Sequence, residues 1–382
     1  MTIRTFWQIG LPLVVLALAI AAFVRMDPLE SLVGEGPPVP PRLTVERTVI
    51  DESGFHLTVR GGGPGALDIA QVQVNEAYWR FEQTPPGPVG RGETVRIDIP
   101  FPWVRGEPHE IRLFTADGST FDHGIEVAKR TPQLTTARLG GYALIGLFVG
   151  VLPVAIGMAF FPVLRRSGTR GLGFALAITL GLLAYLFVDT LLEALDTVAR
   201  AAPLFEGQIL VWLVALTSFI VIVLIGRRGG VPRGYSLAGY LALGIGIHNL
   251  GEGLAIGGAI ATGEIALGAF LVLGFTLHNV TEGVGIVTPI IRERVRALSW
   301  IALIGLAGLP AVAGIWIGVQ AVAPQWAALC LAIGAGAIAQ VLLEVGDLLR
   351  RTVTGVDDRW MALAGFLVGV SAMYLTALLV QA

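Results

Sequence analysis

The stretch LGGYALIGLFVGVLPVAIGMAFFP at residues 139–162 contains no charged side chain. A helix needs about 20 apolar residues to cross the roughly 30 Å hydrocarbon core of a bilayer, and this stretch is long enough. Seven more apolar stretches follow, at residues 171–195, 207–226, 236–262, 264–290, 297–322, 326–348 and 360–381. Because backbone groups in lipid must bond within their own segment, we predict an all-α polytopic domain of eight helices at residues 137–382.

The composition of the whole chain agrees with a membrane protein. Of the 382 residues, 54% are hydrophobic and 14% are charged, whereas about a quarter are charged in soluble domains. The net charge of −2 gives no indication of nucleic acid as a partner. Cys330 is the single cysteine, so one chain can build neither a disulfide nor a cysteine-based metal site. We therefore predict the lipid bilayer as the environment.

An apolar run from Phe6 to Val24 precedes this domain. It is longer than the apolar region of a usual signal peptide, so we predict a retained transmembrane anchor at residues 1–25, although the sequence leaves cleavage open. The proline-rich stretch from Gly36 to Pro41 predicts a stiff linker.

Residues 26–136 differ in kind from the apolar helices. Runs such as LTVERTVI and TVRIDI alternate apolar and polar residues with a period of two, and turn signals such as Asp117-Gly118 separate them. Short alternating strands at close spacing predict an antiparallel β-sandwich.

The arginine distribution predicts the orientation of the helices. Alternate loops carry three arginines each, whereas the intervening short loops contain only Arg200. The positive-inside rule places the arginine-rich loops and the N-terminus in the cytoplasm, and it places the β domain and the C-terminus outside. The arginines concerned are Arg165, Arg166 and Arg170; Arg227, Arg228 and Arg233; Arg292, Arg294 and Arg296; and Arg350, Arg351 and Arg359. We therefore predict a multi-pass protein of the cell membrane.

Two consecutive predicted helices contain nearly the same hexapeptide, HNLGEG at residues 248–253 and HNVTEG at residues 278–283. At about 100° per residue, the first, second and fifth positions lie on one face of a helix. If the two faces meet, six nitrogen and oxygen ligands converge within the membrane. The predicted metal ligands are His248, Asn249, Glu252, His278, Asn279 and Glu282.

The two glutamates decide the predicted chemistry. A charged side chain at the bilayer centre costs roughly 2.5–3.5 kcal/mol on insertion scales. Neither helix contains a lysine or arginine to balance that charge, so the two glutamates need a cation partner or must be protonated, and a bound divalent ion would supply the charge. Imidazole and carboxylate without thiolate suit Zn²⁺, Fe²⁺, Mn²⁺, Co²⁺ or Cd²⁺. The alternative is that each histidine only hydrogen-bonds to a glutamate and ties the helices together.

This motif pair resembles the fourth and fifth transmembrane helices of the ZIP family of divalent metal-ion transporters. The resemblance covers residues 139–382 and implies an eight-helix bundle that moves zinc, iron and related ions toward the cytosol. It also implies that the six motif residues form the transport site. Family members often carry a glutamate in the next helix, but residues 305–310 read GLAGLP, which favours one bound metal over two.

Three acids outside the motif are candidate pathway residues. Asp189 and Glu193 are four residues apart and form either an entry station or a hydrated pair at the interface. Glu344 lies near the cytoplasmic end of its helix and matches an acid that ZIP members often place there, which implies a role on the exit path. Asp347 is predicted to pair with Arg350 or Arg351 instead.

Two other functions fit the sequence less well than metal transport. An intramembrane metal-dependent hydrolase needs an open metal position and a general base, but the sequence has no HExxH motif, and no serine or cysteine nucleophile lies beside the hexapeptides. A sensor needs an output domain, and the inner loops are short. We therefore predict a non-enzymatic transporter with zinc as the leading substrate and no organic cofactor. A homodimer and the partner of the β domain stay open.

Overall fold

The computed structural model describes residues 14–22, 25, 40–132, 135–262, 265–320 and 323–381. The chain divides into one compact unit that ends at Pro41 and a second from Arg42 to Ala382. In the first unit, residues 14–22 are helical. Most of the predicted anchor at residues 1–25 and most of the predicted linker lie outside the described residues.

The β domain contains two four-stranded antiparallel sheets. One has the strand order β1-β2-β6-β5 and the other β4-β3-β7-β8. The strands are β1 Leu43–Asp51, β2 Gly54–Gly61, β3 Ile69–Val74, β4 Ala77–Trp79, β5 Glu82–Thr84, β6 Thr94–Ile99, β7 His109–Thr115 and β8 Thr120–Ile125. The predicted antiparallel β domain is confirmed.

The core of the β domain lies between the two sheets. Phe55 and Leu57 of β2 and Ile111 and Leu113 of β7 are completely buried. These residues alternate along their strands, so the period-two pattern in the sequence marks the faces that meet in the core. Residues 69–83 also alternate apolar and polar residues, but they do not form one strand, because a turn separates β3 from β4 and β5 joins the other sheet.

The rest of the second unit is helical. The helices are α1 Thr136–Gly146, α2 Leu152–Ala159, α3 Phe161–Arg166, α4 Thr169–Ala199, α5 Gly207–Arg227, α6 Gly234–Thr262, α7 Ile265–Val287, α8 Ala297–Gly318, α9 Pro324–Thr352 and α10 Val356–Gln381. A π-helical segment, Leu147–Val151, connects α1 to α2. Short 3₁₀ turns at Pro203–Phe205 and Thr288–Ile290 precede α5 and follow α7.

Six helical segments among the described residues are long and apolar enough to cross a membrane, which is typical of a membrane protein. They are Thr136–Arg166, Thr169–Ala199, Gly207–Arg227, Leu267–Ile290, Ala297–Gly318 and Pro324–Thr352. The prediction of helices long and apolar enough to span a membrane is confirmed for these six among the described residues. The long helices α6 and α10 are not among the six. The first hexapeptide and many glycines lower the hydropathy of α6.

Helix α5 shows which surface faces lipid. Its most apolar window has a mean hydropathy of 2.9, yet only 17% of that window is buried. Trp212, Leu213, Leu216 and Leu224 each expose more than half of their surface. An apolar surface of this length is stable against hydrocarbon but not against water.

The β domain contacts the end of the bundle where α9 begins. Glu46 of β1 is 6% exposed and accepts hydrogen bonds at 2.6 and 3.1 Å from Arg60 of β2. The side-chain amide of Gln325, in the first turn of α9, donates to the same carboxylate at 2.9 Å. The Arg60 guanidinium also lies 5.5 Å from the ring of Phe205, which precedes α5. A buried carboxylate thus links the two parts, at the bundle end away from the arginine-rich loops.

Candidate metal site

The two hexapeptides meet inside the bundle. Glu252 Oε1 lies 3.0 Å from Nε2 of His248, one turn earlier on α6, and 2.5 Å from Nε2 of His278 on α7. All three residues are at least 96% buried. One ligand atom from each lies within 4.8 Å of the others, a spacing that could hold a metal ion. The predicted convergence of α6 and α7 is therefore present for these three side chains.

The two asparagines hold the site against neighbouring helices. The Asn249 side-chain amide donates to the carbonyl of Ala307 on α8, and that of Asn279 donates to the carbonyl of Val149, both at 3.0 Å. Pro153, four residues after Val149, has no N–H to offer that carbonyl, so Asn279 supplies a donor. A backbone carbonyl can only accept a hydrogen bond, so the amide atom of Asn249 or Asn279 that faces it must be the nitrogen. Each Oδ1 therefore faces away from its backbone partner.

Glu282 is buried without a partner. It is 2% exposed, and neither carboxylate oxygen accepts a hydrogen bond from any described residue. The side-chain amide of Asn279 donates a second hydrogen bond to Oε2 of Glu252, at 3.3 Å. Burying an isolated ionised carboxylate costs several kcal/mol of free energy, so the Glu282 carboxylate needs a bound cation or a proton.

Several more ligand atoms at the site lack partners. Nδ1 of His248, Nδ1 of His278 and Oδ1 of both asparagines make no hydrogen bond with the described residues. Nitrogen and oxygen donors of this kind are the ligands of zinc, iron and manganese. The donor set therefore fits a divalent transition metal better than an apolar ligand.

The predicted entry acids lie beside this site. Asp189 and Glu193 of α4 line a narrow pocket together with His248 and Glu252. Asp189 is exposed and Glu193 is half-buried. The pocket therefore joins an accessible carboxylate to the buried motif.

Glu344 lies elsewhere and has a cation partner. It is 2% exposed and accepts from Arg227 Nε at 3.1 Å and Nη2 at 2.9 Å. The predicted pairing of Asp347 is present as a contact of 3.9 Å to Arg350, with Arg227 also at 3.6 Å. Sequence reasoning missed Gln340, one turn before Glu344, although an amide inside an apolar run was a visible signal.

The outer histidines do not form a metal cluster. Among the described residues, His248, Glu252 and His278 form the one group with metal-binding spacing, and it lies in the bundle. The β domain contains His56, His109 and His123, and a sequence of alternating strands predicts such histidines at the surface, which is wrong for His109. Its ring is buried in the sandwich core, near the rings of Phe55 and Phe101.

His56 instead forms a charged cluster across β2 and β6. Its ring bonds to Asp98 and lies 3.0 Å from Asp51. Burial alone would lower the pKa of His56, but hydrogen bonds to Asp98 and Asp51 outweigh burial and raise it above 6.5. Burial alone would raise the pKa of Asp51, but hydrogen bonds from Ser53 and His56 hold that pKa at about 2.

These pKa shifts predict that the folding stability of the β domain depends on pH. A raised histidine pKa stabilises the folded state below the unfolded value of 6.5, and the stabilisation is lost as pH rises through the raised pKa. The lowered pKa of Asp51 adds stability above 3.8, which is lost as pH falls toward about 2. We expect higher protection factors for β2 and β6 amides at about pH 5 than at about pH 8 in hydrogen exchange of the full-length protein. His56→Gln should flatten this difference, and an unchanged pH profile in that variant would contradict the assignment.

Comparison with known proteins does not assign the site: no family model matches the chain, and no curated protein matches it.

Proposed function

We propose that this protein carries a divalent transition-metal ion, zinc foremost, across the membrane through the buried site of α6 and α7. One observation carries the proposal. Glu282 and Glu252 are two fully buried carboxylates in helices without lysine or arginine, and the oxygens of Glu282 have no hydrogen-bond partner among the described residues. A divalent ion supplies the missing charge and ligands for the free atoms around it.

The side chains have separable tasks in this proposal. His248, His278 and Glu252 hold the ion, and Glu282 balances its second charge. Asn249 and Asn279 contribute their free oxygens while their amides fix α6 and α7 to Ala307 and Val149. Metal binding requires neutral imidazoles and ionised carboxylates, so acid should weaken it.

The route follows from the surroundings of the site. We propose that Asp189 and Glu193 admit the ion from the side of the β domain, and that it leaves toward the arginine-rich loops in the cytoplasm. Helices α6 and α10 would complete an eight-helix bundle like that of ZIP transporters. A site at mid-membrane that opens alternately to each side is the usual arrangement in secondary transporters.

Metal flux into proteoliposomes tests this proposal directly. Vesicles containing the full-length protein are expected to take up Zn²⁺, with Fe²⁺, Mn²⁺ and Cd²⁺ added as competitors. His248→Ala and His278→Ala should each lower uptake at least roughly 100-fold, because each removes a ligand from the ion. His123→Ala, in the β domain, serves as the matched control and should transport normally.

Two results would overturn the proposal. Uptake at the wild-type rate in both motif variants would show that the ion does not use this site. Hydrolysis of lipid or peptide without any metal flux would favour the hydrolase instead. Membrane insertion and folding must be verified for each variant. Otherwise a loss of uptake caused by misfolding could be mistaken for the loss of a metal ligand.

A further inference from the structure

The β domain meets the first turn of α9 through a buried ion pair. The Glu46 side chain is 3% exposed and accepts hydrogen bonds from Arg60 and from the side-chain nitrogen of Gln325. The side-chain oxygen of Gln325 is buried and has no hydrogen-bond partner among the described residues. The carboxylate also places negative charge beside the N-terminus of α9, where Ala323 provides no side-chain cap. Glu46 therefore holds the start of α9 in two ways.

The same ion pair contacts the connection between α4 and α5. The Arg60 guanidinium lies 5.5 Å from the ring centre of Phe205, within the range of a cation–π contact. A side chain at Gly62, directly after β2, would begin 3.9 Å from Cδ of Pro203. Pro203 and Phe205 belong to the 3₁₀ turn between α4 and α5. This part of the β domain therefore touches two separate parts of the bundle, the start of α9 and the α4–α5 connection.

An apolar cluster connects this junction to the central site. Its buried members come from α4, α5 and α9 and include Leu191 of α4 and Leu331 of α9. At 1.5 Å per residue, Leu331 lies ~9 Å along α9 from Gln325. Leu331 also lines the pocket that contains His248, and α4 supplies the two entry acids to the same pocket. Because close-packed interiors transmit displacements, a shift at the start of α9 reaches the walls of this pocket.

We infer that Glu46 is a positioning residue, through which the β domain sets the distance between α4 and α9 at the outer end of the metal pathway. The inference rests on the proposed transport function and gives the β domain a task in it. Glu46 and Arg60 lie on the paired strands β1 and β2, and a group fixed to a sheet positions its partners more precisely than a group on a loop. If α4 and α9 separate, the entry acids of α4 move away from His248, and capture of the ion weakens.

The kinetics of Zn²⁺ uptake by the full-length protein in proteoliposomes test this role. Glu46→Gln removes the charge that Arg60 binds, and Gln325→Leu removes the bond to α9 while the ion pair stays. Each should raise the KM for Zn²⁺ several-fold and leave kcat unchanged, because capture weakens while the central site stays intact. The exchange Glu46→Gln/Gln325→Glu rebuilds an amide–carboxylate bond in the opposite direction and should recover the wild-type KM. Glu52→Gln, an exposed acid paired with Arg130 in the same domain, is the matched control and should behave as the wild type.

The outcomes separate this inference from the proposed function. An unchanged KM in folded Gln325→Leu would overturn the positioning role alone, as would an exchange variant that transports no better than Gln325→Leu. Gln325→Leu keeps the ion pair, so it provides the test if Glu46→Gln does not fold. No Zn²⁺ uptake by the wild type would contradict the proposed function, and hydrogen exchange in lipid nanodiscs then decides the inference. Amides at residues 204–207 and 325–331 should exchange faster in Gln325→Leu than in the wild type, and equal exchange would overturn it.

Discussion

Replacing Glu252 by glutamine should abolish metal binding, with a loss of affinity of at least roughly 100-fold. This carboxylate is the centre of the site, because it contacts the rings of His248 and His278 and accepts from Asn279. Glutamine preserves its shape but removes its negative charge. Titration of Zn²⁺ or Cd²⁺ into the detergent-solubilised protein measures the change. Glu206→Gln, an exposed acid before α5, is the matched control.

Glu282→Gln separates a metal ligand from a structural acid. The buried Glu282 carboxylate lacks partners, so removing its charge should leave the Tm of the metal-free protein unchanged or raise it. The same variant should reduce the rise in Tm that saturating Zn²⁺ gives the wild type, because it weakens binding to the folded state. A full metal-dependent rise in both Glu252→Gln and Glu282→Gln would contradict the proposed site.

The sequence predicted the convergence of the two hexapeptides because helical spacing is a local property. His248 and Glu252 are one turn apart, so any regular helix places them on one face. The cost of burying charge indicated that the two glutamates need a cation partner or a proton, and the six ligands were expected to converge if the two faces meet. Asp189 and Glu193 were predicted to form either an entry station or a hydrated pair at the interface, and they line a pocket together with His248 and Glu252.

Some contacts join segments that are far apart in the sequence, and local spacing could not predict them. Arg227 and Glu344 are 117 residues apart, and nothing in either helix specifies the other as its partner. The bond between Glu46 and Gln325 spans 279 residues and depends on how the β domain packs on the bundle. The role of Asn279 was also hidden, because its amide donates to the carbonyl of Val149, which is 130 residues away in the sequence.

Gly253→Ala should separate α6 from α8 and disable the site. A methyl group at Gly253 would lie 2.2 Å from the carbonyl oxygen of Ala311, and a methyl group at Gly314 of α8 would lie 2.1 Å from the carbonyl oxygen of Leu250. These contacts are with backbone, which cannot rotate away as a side chain can. Overpacking of a rigid contact typically costs about 1–3 kcal/mol, and we expect the upper end here.

Gly258→Ala on the same helix provides the control for this prediction. A methyl group there meets no atom within 4 Å, so alanine should be neutral or slightly stabilising through its higher helix propensity. Thermal unfolding of the solubilised protein should show a Tm lower by several degrees for Gly253→Ala only. Because Glu252 is the adjacent residue, that variant should also bind Zn²⁺ more weakly. Equal stability and equal affinity in the two variants would mean that close approach of α6 and α8 does not position the carboxylate.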